Sequence, residues 1–443
     1  MENVPVARLL LFGLFSVLMV ERMMDWELSL VTGLSVKNLY IYSILGVLFL
    51  GTLLRGRILL STAPHVVTTA FYLLLGYAAL SWYFAPELNL WNLPYDRVEG
   101  FIALKRLMDQ FMLFLLFLIL VRGRDQAMSL SRKLLALIAI SNVITLIDVY
   151  DIIDLGIIHE REDGRISGTM GESNQFGAFL VLFLPGIVAM PFLSRGLVRV
   201  LWFLGALASI AALLLTVSRG ALSAVVVGAL CAAVFLYRYI PHGQLTRGAL
   251  VGAAASVIAV AAVMVQYGEL LYSRLFEKTL NEGINTASSG RSDIWLDALS
   301  TMAEHPTSFL VGTGWNMYHN MQELGLYVYN THNTYLGYFY DLGLIGLTLF
   351  LVLVASVLLA ARRGIASMAR QERTLLIMFV IGFISLLWAV FFVDLFKPWL
   401  LIWAYSGLMM RIAVGTAEAP EIETEAAAQR GPATSGALAS QGR

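Results

Sequence analysis

A single cysteine, Cys231, occurs in the whole chain. It can form no internal disulfide and no cysteine-based zinc cluster. Gly228, Ala229, Leu230, Ala232 and Ala233 surround it, which reads as a small buried hydrophobe rather than a reactive thiol. Charge is scarce as well. Only 14% of the residues are charged, against roughly 25% in ordinary soluble proteins. Lys+Arg and Asp+Glu both number 30, so the formal net charge is zero. The missing basic excess argues against nucleic-acid binding, and the low charge argues against a soluble enzyme or a disordered scaffold. No Gly-x-x-x-x-Gly-Lys loop occurs, and no His-Glu-x-x-His or Asp-x-Asp element. Neither an ATP-driven step nor a catalytic metal is therefore written in a motif.

What the chain does have is apolar length. Of its 443 residues 58% are hydrophobic, and the mean hydropathy is +0.75. A spanning helix needs about 20 mostly apolar residues. Windows of that kind lie at 9–20, 38–54, 66–84, 107–121, 134–150, 175–193, 198–217, 220–237, 248–266, 333–360, 374–393 and 398–412. The first resembles a signal-peptide core after Arg8, but no small-x-small cleavage site follows it. The expected fold is all-α: a polytopic membrane helix bundle of about 12 transmembrane helices. Helices 1–9 fill residues 1–266, a long, partly helical outer loop fills 267–332, and helices 10–12 fill 333–413. Residues 414–443 are rich in Ala, Glu, Gly, Ser and Gln and read as a disordered tail.

Basic residues set the direction. Arg55 and Arg57, Arg122, Arg124, Arg132 and Lys133, Arg195 and Arg199, Arg238 and Arg247, and Arg362, Arg363, Arg370 and Arg373 all fall in connections on one side. That side, with both termini, is expected to be cytoplasmic. The opposite side carries Asp151, Asp154, Glu160, Glu162, Asp163 and Glu172, together with the long loop. Chemistry is expected there, where ATP is absent. Asp148, Asp151 and Asp154, at spacings of three, suggest either a cation site or a solvated helix end.

Within the long loop, Ile294, Trp295, Ala298, Leu299 and Met302 recur at helical spacing, which predicts an amphipathic helix over 292–304. Ser289 or Ser292 would cap it, and His305-Pro306 would end it. Gly312-Thr313-Gly314 reads as a turn. Asn330 or Thr331 would cap the next span, which places His332 in its first turn. A helix N-terminus disfavours imidazolium, so His332 is expected to be neutral and able to accept a proton. Arg219 lies between two spans in a connection with few polar residues. It would either snorkel to lipid phosphates or bind a substrate anion. Lys105 and Arg106, at the outer edge of their span, would reach lipid or substrate phosphates. Arg165 would contact substrate or pair with Glu162, Asp163 or Glu172. Trp295, Trp315, Tyr318, Tyr327 and Tyr329 would stack on sugars or anchor the interface.

The stretch His332-Asn333, nine residues, then Gly343-Leu344-Ile345-Gly346 resembles the signature of the O-antigen ligase and polymerase superfamily. Gly290-Arg291-Ser292-Asp293-Ile294-Trp295, His305-Pro306 and Gly312-Thr313-Gly314-Trp315 resemble its outer-loop pattern. Ser218-Arg219-Gly220 and Arg165-Ile166-Ser167-Gly168, with Asn174 beyond, are similar to further parts of it. The resemblance implies a GT-C-like membrane glycosyltransferase of the bacterial inner membrane, active at the periplasmic face. Its donor would be a glycan on undecaprenyl diphosphate, and its acceptor lipid A-core for a ligase or another glycan for a polymerase. It further implies inversion at the anomeric carbon, independence of metals and other cofactors, and no nucleic-acid partner. Carried over residue by residue, Arg219 and Arg291 would bind the diphosphate and His332 would serve as base. Arg165, Asn333, Lys105 and Arg106 would be additional contacts to substrate. The competing class, a lipid-linked glycan flippase, would be expected to show repeated halves and broken or charged midplane helices; neither is evident.

Overall fold

A computed structural model describes residues 34–55, 65–90, 93–121, 123–153, 165–239, 290–324, 330–366, 368–395 and 399–415, with residues 13, 29–31, 269 and 272 as isolated pieces. The described helices are α1 (Val36–Arg55), α2 (His65–Tyr83), α3 (Ala85–Leu88), α4 (Arg97–Leu120), α5 (Arg124–Val149), α6 (Ser173–Leu193), α7 (Gly196–Leu215) and α8 (Arg219–Tyr239). They continue with α9 (Arg291–Glu304), α10 (Pro306–Val311), α11 (Met317–Glu323), α12 (Thr334–Ile365), α13 (Arg370–Ala389) and α14 (Trp399–Val414). A 3-10 turn, Gly168–Met170, precedes α6. A small antiparallel pair, β1 (Ser29–Val31) and β2 (Leu34–Ser35), precedes α1.

Helices α2, α5, α6, α7, α12 and α13 are long and apolar enough to cross a membrane. The chain is a membrane protein by this measure. The windows at 38–54, 66–84, 107–121, 134–150, 175–193, 198–217, 220–237, 333–360, 374–393 and 398–412 each fall on a helix. The windows at 9–20 and 248–266, and all of the tail after Gly415, lie outside the described residues.

Burial sorts the helices into layers. α6 and α13 pack closely on one another, and α14 lies against α4, α5 and α12. Nearly every residue of α14 is buried, including Trp403 and Tyr405. α1, α7 and α8 instead turn Leu50, Leu54, Leu197, Leu201, Leu230 and Val234 outward, as helices facing lipid do. Two polar side chains inside the bundle bond across helices. Asn142 on α5 donates to Ser209 Oγ on α7 at 2.8 Å, a bond that a hydrocarbon setting favours. Arg411 is fully buried and donates to the carbonyl of Leu118 at the end of α4.

The span expected at 333–360 is not one straight helix. Gly343 adopts φ 65°, ψ −167° inside α12 and breaks it. A Cβ there would collide with the carbonyl oxygen of Leu310, and one on Gly312 with the carbonyl oxygen of Asp341. The glycines of the Gly-Leu-Ile-Gly and Gly-Thr-Gly elements thus let the α10–α11 connection cross the break at backbone contact. Thr313 N donates to Tyr340 O at 3.0 Å and Gly314 N to Asp341 O at 3.1 Å. These bonds satisfy carbonyls that the break leaves without helical partners. Asp341 reinforces the crossing by accepting the N–H groups of Asn316 and Tyr318, each at 3.0 Å.

Candidate functional site

Five segments meet at one end of the bundle: 165–174, 215–219, 290–295, 331–333 and 390–394. Ile166 N donates to Leu215 O at 3.2 Å, tying the first two. Trp295 Nε1 donates to Thr331 O at 2.8 Å, tying the amphipathic helix to the histidine segment. The Trp295 ring also lies 5.6 Å from that of Phe391. Thr334 N donates to Val390 O at 3.0 Å and Thr334 Oγ1 to Val393 O at 2.9 Å. Thr331 Oγ1 donates to Asp394 Oδ2 at 2.7 Å, and Asn333 N to Asp394 Oδ1 at 3.1 Å.

The sequence placed the helix starts differently. The cap of α12 is Asn333, whose side-chain oxygen accepts Tyr335 N at 3.0 Å and Leu336 N at 3.1 Å. Neither Asn330 nor Thr331 fills that role, because Thr331 is bound to Asp394. His332 consequently lies before the cap rather than in the first turn. It adopts φ 48°, a left-handed conformation that non-glycine residues hold only when their surroundings enforce it. Here bonds on both sides of it enforce it. α9 begins at Arg291 with Gly290 (φ 78°) as its cap and no side-chain cap bond; Ser292 does not cap it, and Ser289 lies outside the described residues. The left-handed glycine turns the chain sharply into the helix, so Arg291 becomes its first residue.

Arg219 opens α8 after a turn through Thr216 and Val217, with Val217 at φ 46°. Arg165 holds this turn. Its Nε donates to Thr216 O at 2.8 Å and its Nη2 to Asn174 Oδ1 at 3.0 Å. Asn174 Nδ2 in turn donates to Glu172 Oε1 at 2.8 Å.

Electrostatics link Arg219 to Arg291 and Arg291 to His332. Burial, and then the charge of Arg219, lower the Arg291 pKa, while Glu172 and Asp394 oppose the shift. Arg291 remains a cation, since a guanidinium titrates far above neutrality. Burial, and then Arg291, hold the His332 imidazole below its ordinary 6.5, with Glu172 opposing. His332 is therefore neutral at pH 7. The expected protonation state is right, but its main cause is desolvation and not the helix end. Burial pushes Asp394 up to about 6, against the bonds from Thr331 and from the backbone N–H groups of His332 and Asn333.

Other expected contacts are committed elsewhere. The Asn333 side chain is the helix cap. Lys105 Nζ lies 2.7 Å from Asp109 Oδ2 and above the Tyr42 ring, between α4 and α1. Because α4 starts at Arg97, Lys105 is more than two turns inside the helix rather than at its edge. Arg106 is exposed on α4. Tyr318 is buried against Tyr340 and is core, whereas Tyr327, Tyr329 and Asp154 lie outside the described residues. Among the described residues no group of three or more His, Cys, Asp or Glu is placed to hold a metal ion. Asp394 was missed in the sequence, although it is the lone carboxylate between Glu372 and Glu418.

Residues 204–351 match the family model described as O-antigen ligase. This segment, about a third of the chain, supports membership in the O-antigen ligase-like family. The matched segment carries Arg219, Arg291, His332 and the Gly343 break, whereas Arg165, Glu172 and Asp394 come from outside it. The O-antigen ligase-like family supports a ligase or polymerase type of activity, with a lipid-linked glycan and an acceptor as partners. No curated protein matches the chain.

Proposed function

We propose that this protein is a glycosyltransferase that moves a glycan from undecaprenyl diphosphate to a sugar hydroxyl of lipid A-core. The observation that carries the reading is a half-buried histidine in the field of Arg291, which is itself in the field of Arg219, at one end of a membrane bundle. A sugar diphosphate is already activated, so no nucleotide is required. Arg219 and Arg291 offer forked donors suited to phosphate oxygens and offset the charge gathering on the leaving group. His332 takes the proton of the attacking hydroxyl. The acceptor oxygen forms its bond to the anomeric carbon as the bond to the diphosphate oxygen breaks. The electron pair leaves on the diphosphate, and the anomeric carbon inverts.

Arg165 supports this arrangement from behind by holding the Thr216 carbonyl, and with it the turn that carries Arg219. The lipid tail would lie along the spans, with the diphosphate at their end. Arg124, Arg132, Arg195, Arg199, Arg362, Arg363 and Arg370 cluster at the helix ends opposite His332. That asymmetry supports a cytoplasmic basic end and a periplasmic site in the inner membrane.

The test is transfer by the purified protein in lipid, without nucleotide or added metal and with chelator present. Glycan on lipid A-core supports the ligase reading. A lengthened donor glycan makes the protein a polymerase with the same donor. Bilayer crossing of the donor without transfer makes it a flippase and overturns the reading.

A further inference from the structure

One carboxylate in the field of Arg291 has no part in the transfer step. Glu172 occupies the N-cap position of α6, with φ −148° and ψ 128°, yet its side chain makes no bond to the N–H groups of that helix. Glutamate is longer than the residues that cap well. Its Oε1 accepts from Asn174 instead, and Asn174 accepts from Arg165. Arg165 grips the Thr216 carbonyl, three residues before Arg219. The carboxylate is thus anchored to the same turn as one arginine. Its charge is felt by Arg291, His332 and Asp394.

We propose that Glu172 is the resident counter-ion of the Arg219–Arg291 pair and the group that expels the spent lipid diphosphate. The proposal rests on the donor reading given above. Arg219 is close enough to lower the Arg291 pKa, so the two guanidiniums repel, and the Glu172 carboxylate opposes that effect at Arg291. With the site filled, charge decides which ligand is held more tightly. The donor diphosphate is esterified at both ends and carries two negative charges. After transfer the lipid diphosphate is esterified at one end only and carries up to three. Two arginines alone would hold the product more tightly than the donor, and turnover would stall. A fixed negative charge weakens both, and weakens the product more.

Binding to the purified protein in lipid, without acceptor, tests this with two probes. One is a polyprenyl diphosphate, and the other is a glycan-bearing polyprenyl diphosphate. Glu172→Gln removes the charge and keeps an oxygen to accept from Asn174. It is expected to tighten the polyprenyl diphosphate by roughly tenfold and the glycan-bearing donor by roughly fivefold, in proportion to their charges. Glu172→Asp keeps the charge and is expected to bind both probes as the unaltered protein does. Glu172→Asn also removes the charge while placing a good helix cap at this position, so it carries the same test if the Gln variant does not fold. Equal tightening of both probes, or none, overturns the proposal and leaves the donor reading standing. Failure of the unaltered protein to bind either probe overturns the donor reading and this proposal together.

Discussion

The carboxylate of Asp394, just past the end of α13, accepts the backbone N–H of Asn333 at 3.1 Å. Its other oxygen accepts Thr331 Oγ1 at 2.7 Å. One side chain from the segment after α13 therefore pins both neighbours of His332, whose left-handed backbone needs such support. Asp394→Ala frees Thr331 and the N–H of Asn333 and lets His332 relax to an ordinary φ. Transfer is expected to fall by about a hundredfold, chiefly in kcat, since misplacing a reacting group by about 1 Å has that effect. Steady-state kinetics on the folded variant check this, and a rate within twofold of the unaltered protein would refute the positioning role.

The pH profile follows from the direction of the His332 shift. The folded imidazole stays neutral below 6.5 because burial and Arg291 disfavour its charge. The rate is expected to fall on the acid side, with an apparent pKa under 6.5. His332→Ala is expected to lose about 10²–10⁴-fold at neutral pH, a loss that shrinks on the acid side where the unaltered histidine is itself protonated. Stability responds too. The unfolded chain takes up the His332 proton near 6.5 and the folded chain only at lower pH. The contribution is thus present above 6.5 and lost as pH falls through the folded value. Asp394 works in the opposite sense. Its folded pKa of about 6 lies above the ordinary 3.8, so its contribution is present below 3.8 and lost as pH rises through about 6. Titration of the His332 ring by NMR gives the decisive value, and a pKa above 6.5 would contradict the assignment.

Gly343 cannot accept a side chain. Its φ of 65° is costly for other residues, and a Cβ would meet the Leu310 carbonyl and the Gly312 nitrogen. Gly343→Ala is expected to destabilise the protein by about 3 kcal/mol, the sum of backbone strain and forced separation of two backbones. Thermal unfolding in detergent measures it, and Gly46→Ala, where a Cβ meets nothing within 4 Å, serves as the control.

The Lys105–Asp109 pair, also bound through Asp109 to the hydroxyl of Tyr42, joins α4 to α1. Removing one partner leaves a charge without its mate in a low-dielectric setting. Asp109→Ala is expected to cost about 3–5 kcal/mol. The double replacement Lys105→Met with Asp109→Leu is expected to recover most of that loss. Double-mutant-cycle melting data decide the matter, and additive losses would show that the two side chains do not act as a pair.

Much of this architecture is legible in the sequence because lipid imposes a simple rule: runs of about 20 apolar residues become helices. The amphipathic helix at 292–304 is equally visible, since Ile294, Trp295, Ala298 and Met302 mark its inner face. Helix caps are harder, because they depend on partners far away in the chain. Thr331 looks like a cap until Asp394, 63 residues later, takes its hydroxyl. Lys105 looks like an interfacial anchor until α4 proves to start at Arg97 and Asp109 to lie one turn on. Asn333 has the residue type for a substrate contact, and only the turn of backbone beneath it shows that its oxygen is already used. The break at Gly343 left a glycine in the pattern, but its geometry is set by the loop that crosses it.

The break in α12 also separates two mechanical duties. Leu344–Ile365 turns Leu351, Val352 and Leu359 outward, whereas Thr334–Leu342 follows His332 and is strapped to residues 312–314. A rigid helix through both would transmit every change of hydrocarbon thickness, as tilt, to the histidine. With Gly343 between them, the inner rod can follow the lipid while the outer segment keeps its register with Arg291 and Asp394. On the proposed reading, the break would let the His332 geometry stay constant across membranes of differing thickness.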